Sequence, residues 1–177
     1  KRTEGSTTRH FYYNEDWQCL EERVTEAGSA LKQFVWGAGY VDELVLRDRD
    51  ADNNSGNGLE ERLYALQDAL YNITGLVNVS GNVQERFSYT PYGESVVLNA
   101  DMTVKSGGTG YTWEHRYTGR RLDPISGLQL NRNRYYHQQL GRWSSRDPVE
   151  VSIDKIAKRS SPQDSDNSTK LVQALLQ

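Results

Sequence analysis

The sequence predicts an all-β protein built of antiparallel hairpins, and three observations carry that prediction. Between residues 10 and 147, short apolar or aromatic runs alternate with clusters of Gly, Asn, Asp and Pro, the punctuation of strands and tight turns. The apolar surface is also strongly aromatic. There are 11 Tyr and 4 Trp, while Leu, Ile, Val and Phe make up about a fifth of the 177 residues, near the roughly 20% below which disorder sets in. A core must therefore lean on rings, which bury large areas but need partners for their OH and NH groups. Finally, one pattern recurs at a spacing of about 50 residues. Tyr12-Tyr13-Asn14-Glu15-Asp16 leads through a Gly turn to Gln33-Phe34-Val35-Trp36-Gly37. Tyr64-Ala65-Leu66-Gln67-Asp68 leads through another to Arg86-Phe87-Ser88-Tyr89-Thr90.

Taken in order, residues 1–9 are polar and without period, and read as a frayed N-terminus. His10 to Val24 reads as strand, acidic turn at Asn14-Glu15-Asp16, and strand. Gln33 to Arg49 reads as two strands around a Gly37-Ala38-Gly39 bend, although the imperfect alternation of Val41, Leu44 and Leu46 leaves a helical turn open. Leu59 to Glu94 is the clearest meander. Its strands are Arg62–Gln67, Ile73–Val79 and Val83–Tyr89, with turns at 68–72, 80–82 and Thr90-Pro91-Tyr92-Gly93. Helical spacing in Leu59 to Tyr71 keeps a helix as the alternative there. A strand at Glu94–Asn99 and a loop around Ser106-Gly107-Gly108 follow. Leu128 to Tyr136 alternates as one half-buried strand. Residues 150–177 are rich in Ser, Asp and Lys and read as a disordered tail or a short C-terminal helix.

Composition excludes several functions. A net charge of −3 and a pI near 5.7 make no overall case for nucleic acid. Between Tyr111 and Asp147, seven Arg face three carboxylates, an excess expected to be absorbed by aromatic stacking and buried ion pairs. A lone Cys19 permits no internal disulfide, and no apolar run reaches the ~18 residues of a membrane span. No signal peptide opens the chain, which starts at Lys1 and reads as part of something longer. Asp48, Asp50 and Asp52 have the spacing of hard-cation ligands. An EF-hand loop counted from Asp48, however, would put Asn53 and Leu59 where Gly and Glu are required, so a solvated hairpin loop is expected. His10, His115 and His137 lack zinc spacing. No metal and no cofactor is expected.

The stretch Tyr117 to Pro148 stands apart. Two Asp-Pro steps, at Asp123 and Asp147, frame Gly127, the run Asn131-Arg132-Asn133-Arg134, Tyr135-Tyr136 and Gly141-Arg142-Trp143. Two neighbouring carboxylates can share a proton and divide acid and base roles. Asp123 and Asp147 are the candidate catalytic pair, with Arg121 holding one of them ionised. The competing reading makes both Asp-Pro steps turn initiators. Tyr117, Tyr135, Tyr136 and Trp143 offer either a sugar-stacking platform or core aromatics.

Three segments, 33–50, 62–94 and 117–148, resemble the RHS (tyrosine-aspartate, YD) repeat family and its repeat-associated core. The resemblance implies a wall of β-hairpins wound into a shell that encloses a C-terminal toxin or other effector. Residues 10–110 then supply repeat-like hairpins, and residues 111–149 the core segment that closes one end. It further implies self-cleavage beyond the second Asp-Pro by acidic residues in an aspartyl-protease-like arrangement. This chain departs from the pattern at Val149-Glu150 and at His137-Gln138, and a short unrelated tail follows. The expected function is accordingly structural: the end of a shell in a truncated or decayed copy, belonging to a longer secreted or cell-surface protein. Its expected partners are the rest of the shell and an effector. An autoproteolytic core and a surface module for carbohydrate or protein are the alternatives. No nucleic-acid partner is expected.

Overall fold

The computed structural model describes residues 2–4, 7–54 and 56–147. Within them the chain is nearly all β. Nine strands form one antiparallel sheet in which each pairs with its neighbour in sequence: β1 (Arg2–Glu4), β2 (Thr7–Tyr13), β3 (Cys19–Arg23), β4 (Ala30–Trp36), β5 (Leu44–Arg49), β6 (Glu61–Gln67), β7 (Ile73–Asn78), β8 (Val83–Tyr89) and β9 (Ser95–Asn99). A second meander of four short strands follows: β10 (Arg121–Leu122), β11 (Gln129–Asn131), β12 (Arg134–His137) and β13 (Arg142–Trp143).

The structure corrects two local expectations and decides a third, for Leu59 to Tyr71, in favour of the strand first read there. The frayed N-terminus contains strands, with Arg2 opposite Arg9 and Thr3 opposite Thr8. A polar strand at a sheet edge satisfies its backbone without burying a face, so it leaves no apolar period to read. Leu59 to Tyr71 holds strand β6, not a helix. Leu63 is buried while Arg62 and Tyr64 face solvent, the period-2 signature. Leu128 to Tyr136 is a tight hairpin rather than one strand, turning at Arg132-Asn133 between paired Asn131 and Arg134. No Gly or Pro marks this turn, and Arg132 takes φ 53° in its place. The tail expected at 150–177, and Pro148 of the second Asp-Pro step, lie outside the described residues.

One turn hydrogen-bond pattern recurs six times among the described residues. At Asn14, Asp68, Asn78, Thr90, Asn99 and Arg116 the backbone N–H donates to the carbonyl four residues on, and the carbonyl accepts from the N–H three residues on. The residue at the third step is left-handed each time: Trp17, Tyr71, Gly81, Gly93, Met102 and Gly119, with φ between 61° and 91°. In the first five this is the three-residue hairpin loop with a bulge, whose twist suits antiparallel strands; in the sixth Thr118 is left-handed as well, with φ 52°. The first side chain locks it. Oδ1 of Asn14, Asp68 and Asn78 each accepts from the N–H groups two and four residues ahead. The turn residue matching Asp68 is thus Asn14, two positions before the Asp16 that the sequence pattern aligns with it.

The inner face of the large sheet has two halves. Toward one side lie Phe34, Leu44, Leu63, Ile73, Leu76, Phe87 and Val97, all buried. Toward the other, cross-strand pairing lines up Phe11, Glu22, Lys32, Arg49 and Glu61 over five strands. Opposite charges stand side by side at Glu22–Lys32 and Arg49–Glu61, the favourable cross-strand arrangement, while Lys32 and Arg49 between them are like charges that need carboxylates from elsewhere. Among them Glu22 and Lys32 are buried.

Candidate functional site

The inner face is closed by the segment Thr109 to Leu122, a strap crossing the strands rather than extending them. Trp113 is its anchor, 1% exposed and part of the core cluster. Polar contacts tie the strap to successive strands. The Tyr111 hydroxyl donates to Gln84 Oε1 at 2.8 Å, and Glu85 accepts from the Thr109 hydroxyl and the Gly110 N–H. Arg116 donates to Ser95 Oγ at 2.7 Å and lies over the Phe87 ring, while its carbonyl accepts from the Ile73 N–H at 3.0 Å. Asn72 Oδ1 accepts from the Thr118 N–H. Gly119 passes against Asp42, where a Cβ would collide with the Asp42 carbonyl, so glycine is required at this left-handed position.

On the charged half, the strap supplies the Glu114 carboxylate and the polar groups of Thr112. Arg47, 2% exposed, donates to the Thr112 carbonyl at 3.2 Å and to Glu61 at 2.7 Å, with its guanidinium 4.8 Å from the Trp113 ring centroid. Arg49 reaches the Thr112 hydroxyl and the same Glu61, both at 2.7 Å. Lys32 lies between Glu22 at 3.2 Å and Glu114 at 3.3 Å, and Arg121 pairs with Glu114 at 2.6 Å while stacking on Phe11. Burial pushes the Glu114 carboxyl upward, but Lys32 and Arg121 outweigh it and hold it below its ordinary value. His115 stands edge-on to Phe34 and Trp36, at 5.1 and 5.5 Å. Burial, with Arg121 adding repulsion, pulls its pKa down to about 3, so the imidazole is neutral. Burial likewise pushes the Cys19 thiol up to about 11, leaving it protonated at neutral pH.

The structure places the three sequence-predicted site residues separately. Arg121 serves Glu114. Asp123 closes the β10–β11 loop, accepting from the Ser126 hydroxyl at 2.6 Å and pairing with Arg2 at 2.5 Å. Burial works to raise the Asp123 carboxyl, but the Ser126 hydrogen bond, the loop N–H groups and Arg2 win and lower it. Asp147 lies near Arg134, 3.1 Å away. Leu122 is opposite Gln129, and Gln129 opposite Tyr136, whereas Arg134 pairs with Asn131 at the other end. Asp123, just past β10, and Asp147, beyond β13, therefore lie toward opposite ends of the small sheet, each with its own partners. Asp123 acts as a turn residue.

The aromatic platform is divided too. Tyr136 packs on Trp143 at 5.1 Å under Arg134, Tyr117 packs on Tyr89, and Tyr135 points to the opposite side from Tyr136, 46% exposed. The Arg excess of residues 111–147 is largely absorbed, by Glu114, Asp42, Asp147, Phe87 and Trp143. In the acidic loop it is Asp50, Asp52 and Glu60 that gather, while Asp48 pairs with Arg62. Their oxygens accept from the N–H groups of Ala51, Asp52 and Asn54 and so close the loop on itself. Sequence reading missed Trp113, Glu114 and His115 because a strap has no alternation of its own. A signal does exist on its partners: Glu22, Lys32, Arg47 and Arg49 occupy inward positions of alternating strands, so something charged must meet them.

No protein-family model matches the chain, and no curated protein matches it. Solved structures do. The Photorhabdus luminescens Tc holotoxin pore with a mutated TccC3 aligns with a TM-score of 0.51 at 14% identity, over 83% of this chain and 8% of that one. TcdB2-TccC3 without its hypervariable C-terminal region aligns with a TM-score of 0.51 at 16% identity, over 84% and 8%. The chain thus spans about a twelfth of the length of the structures it matches, and what it shares with them is the β-meander fold.

Proposed function

We propose that this chain is a wall segment of an RHS-type β-shell, with the Thr109–Leu122 strap sealing its inner face. The observation that carries this reading is the strap itself. A sheet of consecutive hairpins, open at its β1 edge, buries one face under a single crossing segment anchored by Trp113. That architecture suits a wall continued by further hairpins, because unpaired strand edges invite more strands. The sequence resemblance to the repeat family and the fold likeness to two Tc toxin structures support it. The partners are then the neighbouring hairpins of the shell and an enclosed effector, in a protein delivered outside the cell. The role is structural, since Asp123 and Asp147 are spent on a turn and an ion pair.

Electron cryo-microscopy of the product of the whole reading frame tests this. A hollow β-shell with the strap on the wall's inner side is expected. A solid domain without a lumen, or a strap facing outside solvent, overturns the proposal.

A further inference from the structure

The charged half of the inner face borders a cavity of about 400 Å³ that reaches from β1 and β2 to the ends of β4 and β5. Five cationic side chains line it, Arg2, Arg9, Lys32, Arg49 and Arg121, against the carboxylates of Glu22, Asp50 and Glu114. Most of the cations are answered. Asp123 meets Arg2, Lys32 lies between Glu22 and Glu114, and Arg121 pairs with Glu114. The two terminal nitrogens of Arg49 reach Thr112 and Glu61. Two donors remain: Nη1 of Arg9 and Nε of Arg49 are buried and have no acceptor among the described residues. Arg9 is held loosely, with its Nε 3.6 Å from Glu22. A buried N–H without an acceptor bears the full cost of its desolvation, so this wall favours a guest that brings oxygens.

The surroundings narrow the class of guest. Guanidinium donors call for a negatively charged acceptor, and their planar fork matches a carboxylate. Three carboxylates in the same wall oppose a dianion, so a single negative charge is preferred. Phe11, Leu31, Ala51 and Pro124 supply apolar surface beside the charges, which rewards an apolar body attached to the carboxylate. The volume lies near the lower end of the ~300–1,000 Å³ of small-molecule sites. Asp50 is buried in the same wall and offers an acceptor to an N–H of the guest. We propose that this cavity binds an apolar monocarboxylate, its carboxylate on the donors of Arg9 and Arg49 and its hydrocarbon part against Phe11 and Leu31. A free carboxylic acid presents such a group, and so does the end of a peptide whose last residue is apolar. The site needs only the fold described above, so it stands or falls independently of a closed shell.

Ligand-observed NMR on the full chain tests this with N-acetylleucine, its C-terminal amide, 4-methylpentanoate, acetate and phosphate. Saturable binding of N-acetylleucine is expected, about tenfold tighter than that of the amide or of acetate. If N-acetylleucine also binds tighter than 4-methylpentanoate, the site takes a peptide end whose N–H meets Asp50. Equal or weaker binding than 4-methylpentanoate assigns it to free acids. Arg9→Gln removes the buried donor from a side chain that is 34% exposed. It should keep the thermal melt while weakening N-acetylleucine about tenfold. Arg62→Gln, which alters an exposed guanidinium outside the cavity, should leave the affinity unchanged. No saturable binding by the unaltered chain, equal binding of N-acetylleucine and its amide or acetate, tighter binding of phosphate, or full affinity in a folded Arg9→Gln chain overturns the proposal.

Discussion

The two sheets of this protein are held in different ways. The nine-stranded sheet has a one-sided apolar core, closed by a strap whose Trp113 is 1% exposed. The four-stranded sheet has little of the kind. Its buried side chains include Gln129 and Gln138, joined by a 2.7 Å hydrogen bond, while Ile125, Tyr135, Leu140 and Trp143 are about half exposed or more. The large sheet thus draws on area removed from water, and the small one on polar pairing and on attachment to its neighbour. A sheet of two- to four-residue strands cannot build its own core. Its aromatics remain available to whatever lies beside it, which fits a segment continued by other chain in a larger wall.

The largest expected effect contrasts the two tryptophans. Trp113→Ala should cost about 3–5 kcal/mol, since it empties the core under the strap. Trp143→Ala should cost about 1 kcal/mol or less, as expected of a half-exposed ring. Urea unfolding of both variants measures the difference, and equal losses would break the comparison.

Acid should act on the large sheet first. His115 is neutral and buried, with its pKa pulled from 6.5 to about 3. Below pH 6.5 the unfolded chain binds a proton that the folded chain refuses, so stability is complete above that pH. It falls progressively as the pH drops from 6.5 toward 3, by a few kcal/mol at most. Hydrogen exchange at pH 7 and pH 5 should show loosening around residues 109–122. His115→Gln should flatten the dependence, and an unchanged profile in that variant would reassign the effect to the carboxylates.

Smaller is the effect of relieving a turn. Met102 is exposed, with φ 72°, in the same loop geometry that Gly81 and Gly93 fill elsewhere. Met102→Gly should stabilise by about 0.5–1 kcal/mol, the left-handed cost less the added freedom of the unfolded chain. Gly81→Ala should lose a similar amount, and thermal melts of the pair check both. The smallest expected change is none: Asp123→Asn should shift the intact mass of the parent protein by the substitution alone. A product ending between Asp147 and Glu150 that vanishes in this variant would restore the self-cleaving reading.

Much of the large sheet was legible in the residues. Val83–Tyr89 and the turns at Asp68 and Asn78 follow from alternation and from Asx chemistry, both of which act over a few residues. Strand β1 and the Arg132 turn were not legible, because a polar edge strand has no period and an arginine seldom turns left-handed. The candidate pair was legible as residues but not as geometry. Asp123 and Asp147 are conspicuous in the text, yet each is occupied locally.

The sequence alone determined the all-β class, the hairpin spacing and the side chains that lock the turns, since these are short-range consequences of residue type. Only the tertiary structure decided that Trp113, Glu114 and His115 close the inner face, and that Arg121 answers Glu114 rather than Asp123. Lys32 and Glu114 stand 82 positions apart, and no local pattern encodes a pairing at that separation. It arises because buried charges on the sheet must be matched by whichever segment covers them.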